Sequence, residues 1–533
     1  MHQNQNKMNS NKIAIVVLLN LIISFGFYIK NLDANIQEIS SDLANIIPVC
    51  KKLDNNNLYQ KDLFANKVDN VKYYTPFFVQ PLRFISKFTH YDYLKALNVL
   101  GLITHFFYGI IWFFLFYSLK RDFWIALIFS VFIRGVLWPP GGELLGISDL
   151  WSIMPRTLYS ALMPIPFLVY FYCKKFNLIF AALILGIIFN FHPISGIGGI
   201  LIYVLIYSSY LYINNHSIYT IFKQICIVVL FSFIGMIPFL ITYFTNVNNN
   251  LIINPDLFNE VLNSRIPSKF LDPILFISSW NRPVTYFFGF LFILFYFFDT
   301  SQKKQIFKIL LISIIGIFLF ANLSVYIETF FNEIFNKNLR LSFQLIRFQK
   351  FVLVLFQVAN FFLIVLFFNR FKVKEYIKSS LFFLYIFIIS LSNNAIFNKT
   401  PLISDDLTRL ILPVNLQLSK PKEIDYSYSS MVMYIKKNTK KDAVFYGEDS
   451  FLIRAGADRS VVLDSKGSSM LIEGNQKQLL EWYLDIKKMK SLKNNKELII
   501  FLKTKNVDYI ISKEKKKELN LVKQINNVFL YKI

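Results

Sequence analysis

Acidic residues, histidine and cysteine are all scarce in this chain of 533 residues. It carries 33 Asp plus Glu against 57 Lys plus Arg, with 5 His and 3 Cys. Cys50, Cys173 and Cys226 show no C-x-x-C spacing, so neither a disulfide framework nor a zinc site is indicated. There is no H-x-H or H-E-x-x-H pair, and a metal role for a lone histidine is weak. A divalent metal is therefore not indicated, and no cofactor is identified. The chain also lacks G-x-G-x-x-G, GK[ST] and G-x-S-x-G, which leaves nucleotide-binding and serine-hydrolase readings unsupported. Charged residues of both signs reach only 17%, below the roughly 25% of an average soluble chain.

What replaces charge is apolar and aromatic. Hydrophobic residues make up 55% of the chain and aromatics 18%, including 59 Phe, with a mean hydropathy of +0.45. Apolar runs near 13–29, 94–118, 123–138, 157–173, 178–190, 193–213, 224–245, 283–299, 306–323, 350–369 and 379–396 each read as a membrane span. The expected fold class is an α-helical polytopic membrane protein of about eleven transmembrane helices, by the hydropathy procedure. The formal charge of +24 does not argue for nucleic acid, because the lysines sit in short loops between apolar runs and in the C-terminal segment. Membrane lipid is the expected partner, and the oligomeric state is left open.

Loop charge sets the orientation. Lys120-Arg121, Lys174-Lys175, Lys223, Lys303-Lys304 and Arg370 to Lys378 mark one side as cytoplasmic. The first loop, 30–93, and the polar tail then fall outside, in a multi-pass protein of the cell membrane, read as a bacterial inner membrane. The expected domains are a multi-span region, 1–400, that includes this loop, and a soluble extracytoplasmic α/β domain at 420–533. In the tail, strands are read at Ala443–Gly447, Ser460–Asp464, Val507–Ile511 and Val528–Tyr531, alternating with helical patterns.

Candidate chemistry lies in the segments assigned to the outer side. Asp33, Glu38 and Asp62 are acids of the first loop, of which one could serve as a general base toward an acceptor hydroxyl. Arg156 follows Pro155 at the mouth of a span, where a guanidinium can hold phosphate or simply anchor at the interface. His192 sits between two apolar runs in Asn190-Phe191-His192-Pro193, before Gly196, Gly198 and Gly199, whose small size predicts close helix packing. Arg340, Gln344, Arg347 and Lys350 recur at spacings that place them near one helical face, a basic stripe suited to a lipid-linked phosphate. Lys72 to Phe84, rich in aromatics and proline, reads as a short helix lying on the membrane surface.

The layout resembles the GT-C superfamily of membrane glycosyltransferases. The resemblance is carried by Asp33-Ala34-Asn35-Ile36-Gln37-Glu38, by Leu58-Tyr59-Gln60-Lys61-Asp62-Leu63-Phe64, by Asn190-Phe191-His192-Pro193 and by a soluble tail from about Tyr426. It implies transfer of a sugar from a polyprenyl-phosphate donor to an acceptor outside the cytoplasm, with the catalytic acid at Asp33 or Glu38. The chain departs from two branches of that superfamily: it has no adjacent Asp-Glu pair after the first span and no WWDYG-like motif in the tail. The competing functions are a lipid or glycan transporter or flippase, and a non-catalytic membrane assembly protein recruiting partners through its tail.

Overall fold

In hydrocarbon every backbone N–H and C=O must find a partner within the chain, and the α-helix does this within one segment. The computed structural model follows that rule. It describes residues 8–30, 32, 35–39, 42–135, 153–245, 254–281, 283–335, 341–391, 425–492 and 494–533. Among these, five helical stretches are long and apolar enough to cross a membrane: Tyr93–Lys120, Pro193–Ile213, Ile218–Phe244, Gln302–Phe335 and Ser342–Arg370. Four shorter apolar helices, Ser10–Gly26, Phe123–Phe132, Asn177–Phe189 and Thr285–Phe298, accompany them. The run read as one span at 157–173 is two helices, Pro155–Leu162 and Ile165–Tyr172. Pro164 stands at the break, and its missing N–H and fixed φ account for it.

The chain divides into two compact units. The first comprises 1–31, 98–238 and 266–421 and contains the helical core. Its connections are tight, and several turn on a non-glycine residue with positive φ: Arg121, Phe176, Asn215 and Lys372. After the turn at Arg121, the Asp122 carboxylate accepts the N–H of Ile125 and caps the next helix. It also takes the Lys378 ammonium at 2.6 Å, with both side chains 6% exposed. This pair ties Phe123–Phe132 to Glu375–Leu391.

Glycine sets the closest helix approach. A Cβ on Gly186 would lie 2.0 Å from the Ser232 carbonyl, and one on Gly235 would lie 2.4 Å from that of Leu183. The Asn190 amide donates across the same crossing to the Gly235 carbonyl at 2.9 Å.

The second unit is assembled from 32–97, 239–265 and 422–533. Its sheet has β1 (Val444–Gly447), β2 (Ser460–Val461), β3 (Tyr509–Ser512), β4 (Asn520–Ile525) and β5 (Val528–Lys532) in the order β2-β1-β3-β5-β4. The β2-β1-β3 part is parallel, and β3-β5-β4 is antiparallel. The expected α/β character is present, with one additional strand. β4 is a largely exposed edge strand of sequence NLVKQI, so it lacks the buried face that marks a strand in sequence.

Replacing Gly186 with Ala is expected to lower the thermal midpoint of detergent-purified protein, because the added methyl meets backbone. Gly101→Ala, where a Cβ meets nothing within 4 Å, is expected to leave it unchanged or raise it slightly.

Candidate functional site

His192 is the N-cap of the Pro193–Ile213 helix, outside the span itself. Its Nδ1 accepts the Ser195 backbone N–H at 3.1 Å and lies 2.8 Å from Ser195 Oγ. An Nδ1 that accepts a backbone N–H leaves the neutral ring's proton on Nε2. Burial, then the neighbouring guanidiniums of Arg156 and Arg347, push the imidazole pKa down to about 3. The ring is therefore a neutral N–H donor at physiological pH, flanked by two cations.

The glycines after His192 make this convergence possible. A Cβ on Gly199 would lie 1.8 Å from the Tyr159 hydroxyl oxygen, and one on Gly198 would lie 2.3 Å from the Phe351 ring. Tyr159 is one turn beyond Arg156 on Pro155–Leu162, and Phe351 closes the turn of 3-10 helix Ile346–Phe351 that carries Arg347. The predicted close packing thus seats both arginine-bearing elements against the helix that His192 caps.

The basic stripe differs from the α-helical face expected. Gln344 lies in the short helix Ser342–Leu345, and Arg347 and Lys350 lie in the 3-10 segment that follows. Three residues per turn align 344, 347 and 350. Arg347 Nη1 donates to Gln344 Oε1 at 2.9 Å, and its guanidinium lies 5.1 Å from the Phe270 ring centroid. Lys350 is buried. The start of the stripe is held by Glu328, whose carboxylate accepts the N–H groups of Leu341 and Ser342 and the Ser342 hydroxyl. Arg340 and Asp33 lie outside the described residues.

An apolar groove of about 510 Å³ opens in the same unit. Its lining includes Ile277, Trp280, Gly289, Ile293, Phe318 and Phe356. Trp280 Nε1 donates to Gln349 Oε1 at 3.2 Å, and Gln349 Nε2 donates to Asn322 at 2.8 Å. Gln349 is two positions beyond Arg347 on the same 3-10 segment, so the groove wall is hydrogen-bonded to the element that carries Arg347.

Arg134 is the buried cation that the sequence marks only as a charge inside an apolar run. It is fully buried, its Nη2 donates to Asn20 Oδ1 at 2.5 Å, and its guanidinium lies 5.6 Å from the Tyr108 ring centroid. Gly109 leaves the space, since a Cβ there would lie 2.0 Å from Nη2. Nε and Nη1 have no partner among the described residues.

The acids of the first loop belong to the second unit. Glu38 is exposed, and its carboxylate accepts the Asn35 N–H at 2.9 Å. Its turn is clamped to the tail: Asn35 Oδ1 accepts the Ser429 hydroxyl, and Gln37 bonds the Ser429 N–H and the Asp425 carbonyl. Asp62 has a different role. It is fully buried and 2.7 Å from Arg454 Nε, while its oxygens also accept the N–H groups of Phe64, Ala65 and Val461. Asp464 takes Arg454 Nη1 at 2.8 Å. With every oxygen engaged inside the unit, Asp62 ties the loop to the tail and has no free face for an acceptor. Among the described residues, no three His, Cys, Asp or Glu side chains group as a metal site.

No protein-family model and no curated protein matches the chain. Among solved structures, it is similar to the archaeal oligosaccharyltransferase AglB from Archaeoglobus fulgidus in complex with an inhibitory peptide and a dolichol-phosphate. That match covers 94% of this chain and 69% of AglB at 12% identity, with a TM-score of 0.52. The chain shares the fold of that structure. A second structure of an A. fulgidus oligosaccharyltransferase, with Zn and sulfate, aligns over 93% of the chain at 13% identity and a TM-score of 0.47. At 12% identity the likeness to AglB is one of fold.

Two outcomes check the site. Arg454→Met leaves two buried carboxylates unpaired and is expected to destabilise the second unit by about 3–5 kcal/mol, read from denaturant unfolding of the full chain. For His192, the depressed native pKa means that the unfolded chain binds its proton first as pH falls. Stability is thus expected to drop from about pH 6.5 downward, by up to about 3 kcal/mol near pH 4.5. His192→Asn retains a capping side chain and is expected to remove that part of the acid sensitivity in thermal unfolding.

Proposed function

We propose that the protein transfers a sugar from a polyprenyl-phosphate donor to an acceptor on the extracytoplasmic face of the membrane. The observation that carries this reading is the packing of the Arg156 and Arg347 elements against the helix capped by a neutral His192, in the unit that also holds an apolar groove. That combination suits an amphiphile with an anionic head and an isoprenoid chain. The architecture supports it, since AglB, whose structure contains dolichol-phosphate, shares the fold.

In this mechanism the acceptor hydroxyl oxygen attacks the anomeric carbon of the donor sugar. The bond from that carbon to the phosphate oxygen breaks, and the polyprenyl phosphate leaves with the electron pair. The hydroxyl proton passes to a first-loop carboxylate, Asp33 or Glu38. Arg347 and Arg156 hold the phosphate and offset the charge that grows on it, and His192 Nε2–H donates to a phosphate oxygen. Glu38 suits the role of base in being exposed on a clamped turn. Buried Arg134 adds fixed positive charge to the membrane unit.

The same buried cation favours a second reading, in which the protein moves a lipid-linked anion across the bilayer. The readings separate on product: transfer makes a new glycosidic bond, whereas transport in sealed vesicles changes only sidedness.

Glu38→Gln and Asp33→Asn are to be assayed for incorporation of labelled sugar from lipid-linked donor. One of them is expected to lose at least about a hundredfold in rate at an unchanged yield of folded protein. Full activity in both would remove the carboxylate from the mechanism. A C-terminal alkaline phosphatase fusion is expected to be active, as the outer placement of the tail requires.

A further inference from the structure

The end of the first loop, just before the Tyr93–Lys120 helix, presents an aromatic face that the second unit leaves uncovered. Val79–Ser86 is a helix, and Lys87–Thr89 continues it as a 3-10 turn. One side is firmly seated. Val79, Leu82 and Ser86 are buried, Arg83 pairs with Asp54 at 2.6 Å, and the Tyr93 hydroxyl donates to the same carboxylate. The opposite side carries Phe84, 61% exposed, Phe88, 73% exposed, and Tyr91, 58% exposed. The Phe84 and Phe88 rings pack edge to face, 5.4 Å between centroids, so they form one patch.

The chain holds this face outward at a conformational cost. His90 and Tyr91 both have left-handed backbone, at φ 54° and 59°, and neither is glycine. The turn is fixed by the Tyr91 N–H donating to the Ser86 carbonyl at 2.8 Å and by the Thr89 hydroxyl donating to the Asp92 carbonyl at 2.9 Å. Water gives no return for exposing three aromatic rings on such a rigid turn.

We propose that this face, centred on Phe84, Phe88 and Tyr91, inserts at the headgroup–acyl boundary of an anionic lipid leaflet and anchors the second unit to the membrane surface. Two observations select lipid as the occupant. Tyr93, two positions past Tyr91, begins a 28-residue apolar helix of membrane-spanning length, so the patch emerges where the chain meets the bilayer. Of the charges beside it, Lys87 is exposed, and the exposed Lys95 lies 3.7 Å from Asp92, which also accepts the N–H groups of Leu94 and Lys95, so the three together are net cationic. Aromatics flanked by lysine are the composition of an interfacial anchor on anionic lipid. This moves the interfacial role from the 72–84 stretch, whose Tyr73 and Phe78 are buried, to 84–91. The inference is independent of the glycosyl-transfer reading.

The test uses the full chain in vesicles of phosphatidylcholine, with or without phosphatidylglycerol. Cys173 and Cys226 are replaced by Ser, and Cys50 is kept because it is buried. A spin label is placed at Phe84→Cys or Phe88→Cys, with Glu518→Cys as the water-exposed reference. Expected is a several-fold higher collision rate with oxygen than with a water-soluble nickel chelate at 84 and 88, increasing with phosphatidylglycerol, and the reverse ratio at 518. Labels at 84 and 88 that behave like 518 would overturn the proposal. So would labels shielded from both reagents, which would mean that protein covers the patch. Unchanged elution and thermal midpoint of each labelled protein confirm that the fold is intact.

Discussion

Hydrocarbon supplies no hydrogen bonds, and every polar group that this chain carries into its helical unit must be answered from within it. Asn190 spans to the Gly235 carbonyl, Gln349 bridges Trp280 and Asn322, and the Ser232 hydroxyl donates to the Ala182 carbonyl. Each contact also fixes one helix against another. The same economy makes the exceptions informative. Among the described residues, Arg134 has a single neutral hydrogen-bond acceptor and an aromatic ring for its charge, and it sits where glycine has cleared space for it. The cationic cluster at His192 depends on the same device, because Gly198 and Gly199 admit the elements that bring in Arg347 and Arg156. Packing of small residues thus places the charges, and the charges shape the chemistry.

In the second unit, ions take the part that glycines take in the first. Its sheet is small, and its segments are far apart in sequence. Arg454 gathers Asp62 from the first loop and Asp464 from the tail into one fully buried cluster, which Tyr59 extends by donating to the Arg454 carbonyl. Asn45 adds a bond to the Lys466 carbonyl and Asn70 one to Gln478. A long first loop and a distant tail are therefore one folded body, and an acid such as Glu38 inherits its fixed position from the tail.

Much of this was legible in the sequence. Hydropathy marks the helical runs, and the alternation of the tail marks the parallel part of its sheet, because both patterns record burial directly. The glycines after His192 announced close packing and deliver it. Pairings between remote residues were not legible. Nothing local distinguishes Asp62, a buried tie, from Glu38, an exposed acid, since the difference lies in Arg454 almost four hundred residues away. The stripe at 344, 347 and 350 was legible as a shared face but not as 3-10 helix, for which residue spacing carries no separate signal. β4 escaped notice because an exposed edge strand has no apolar face to show.

The central claim is that the helical unit holds a lipid-linked phosphate at Arg156, Arg347 and His192. It is tested most directly by native mass spectrometry of the purified protein offered equal amounts of a polyprenyl phosphate and the matching polyprenol. The account predicts that the phosphate is retained at least about tenfold better. It also predicts that Arg156→Gln combined with Arg347→Gln abolishes this preference while leaving the weak binding of the polyprenol intact. Equal retention of the two lipids, or a preference that survives the double substitution, would contradict it.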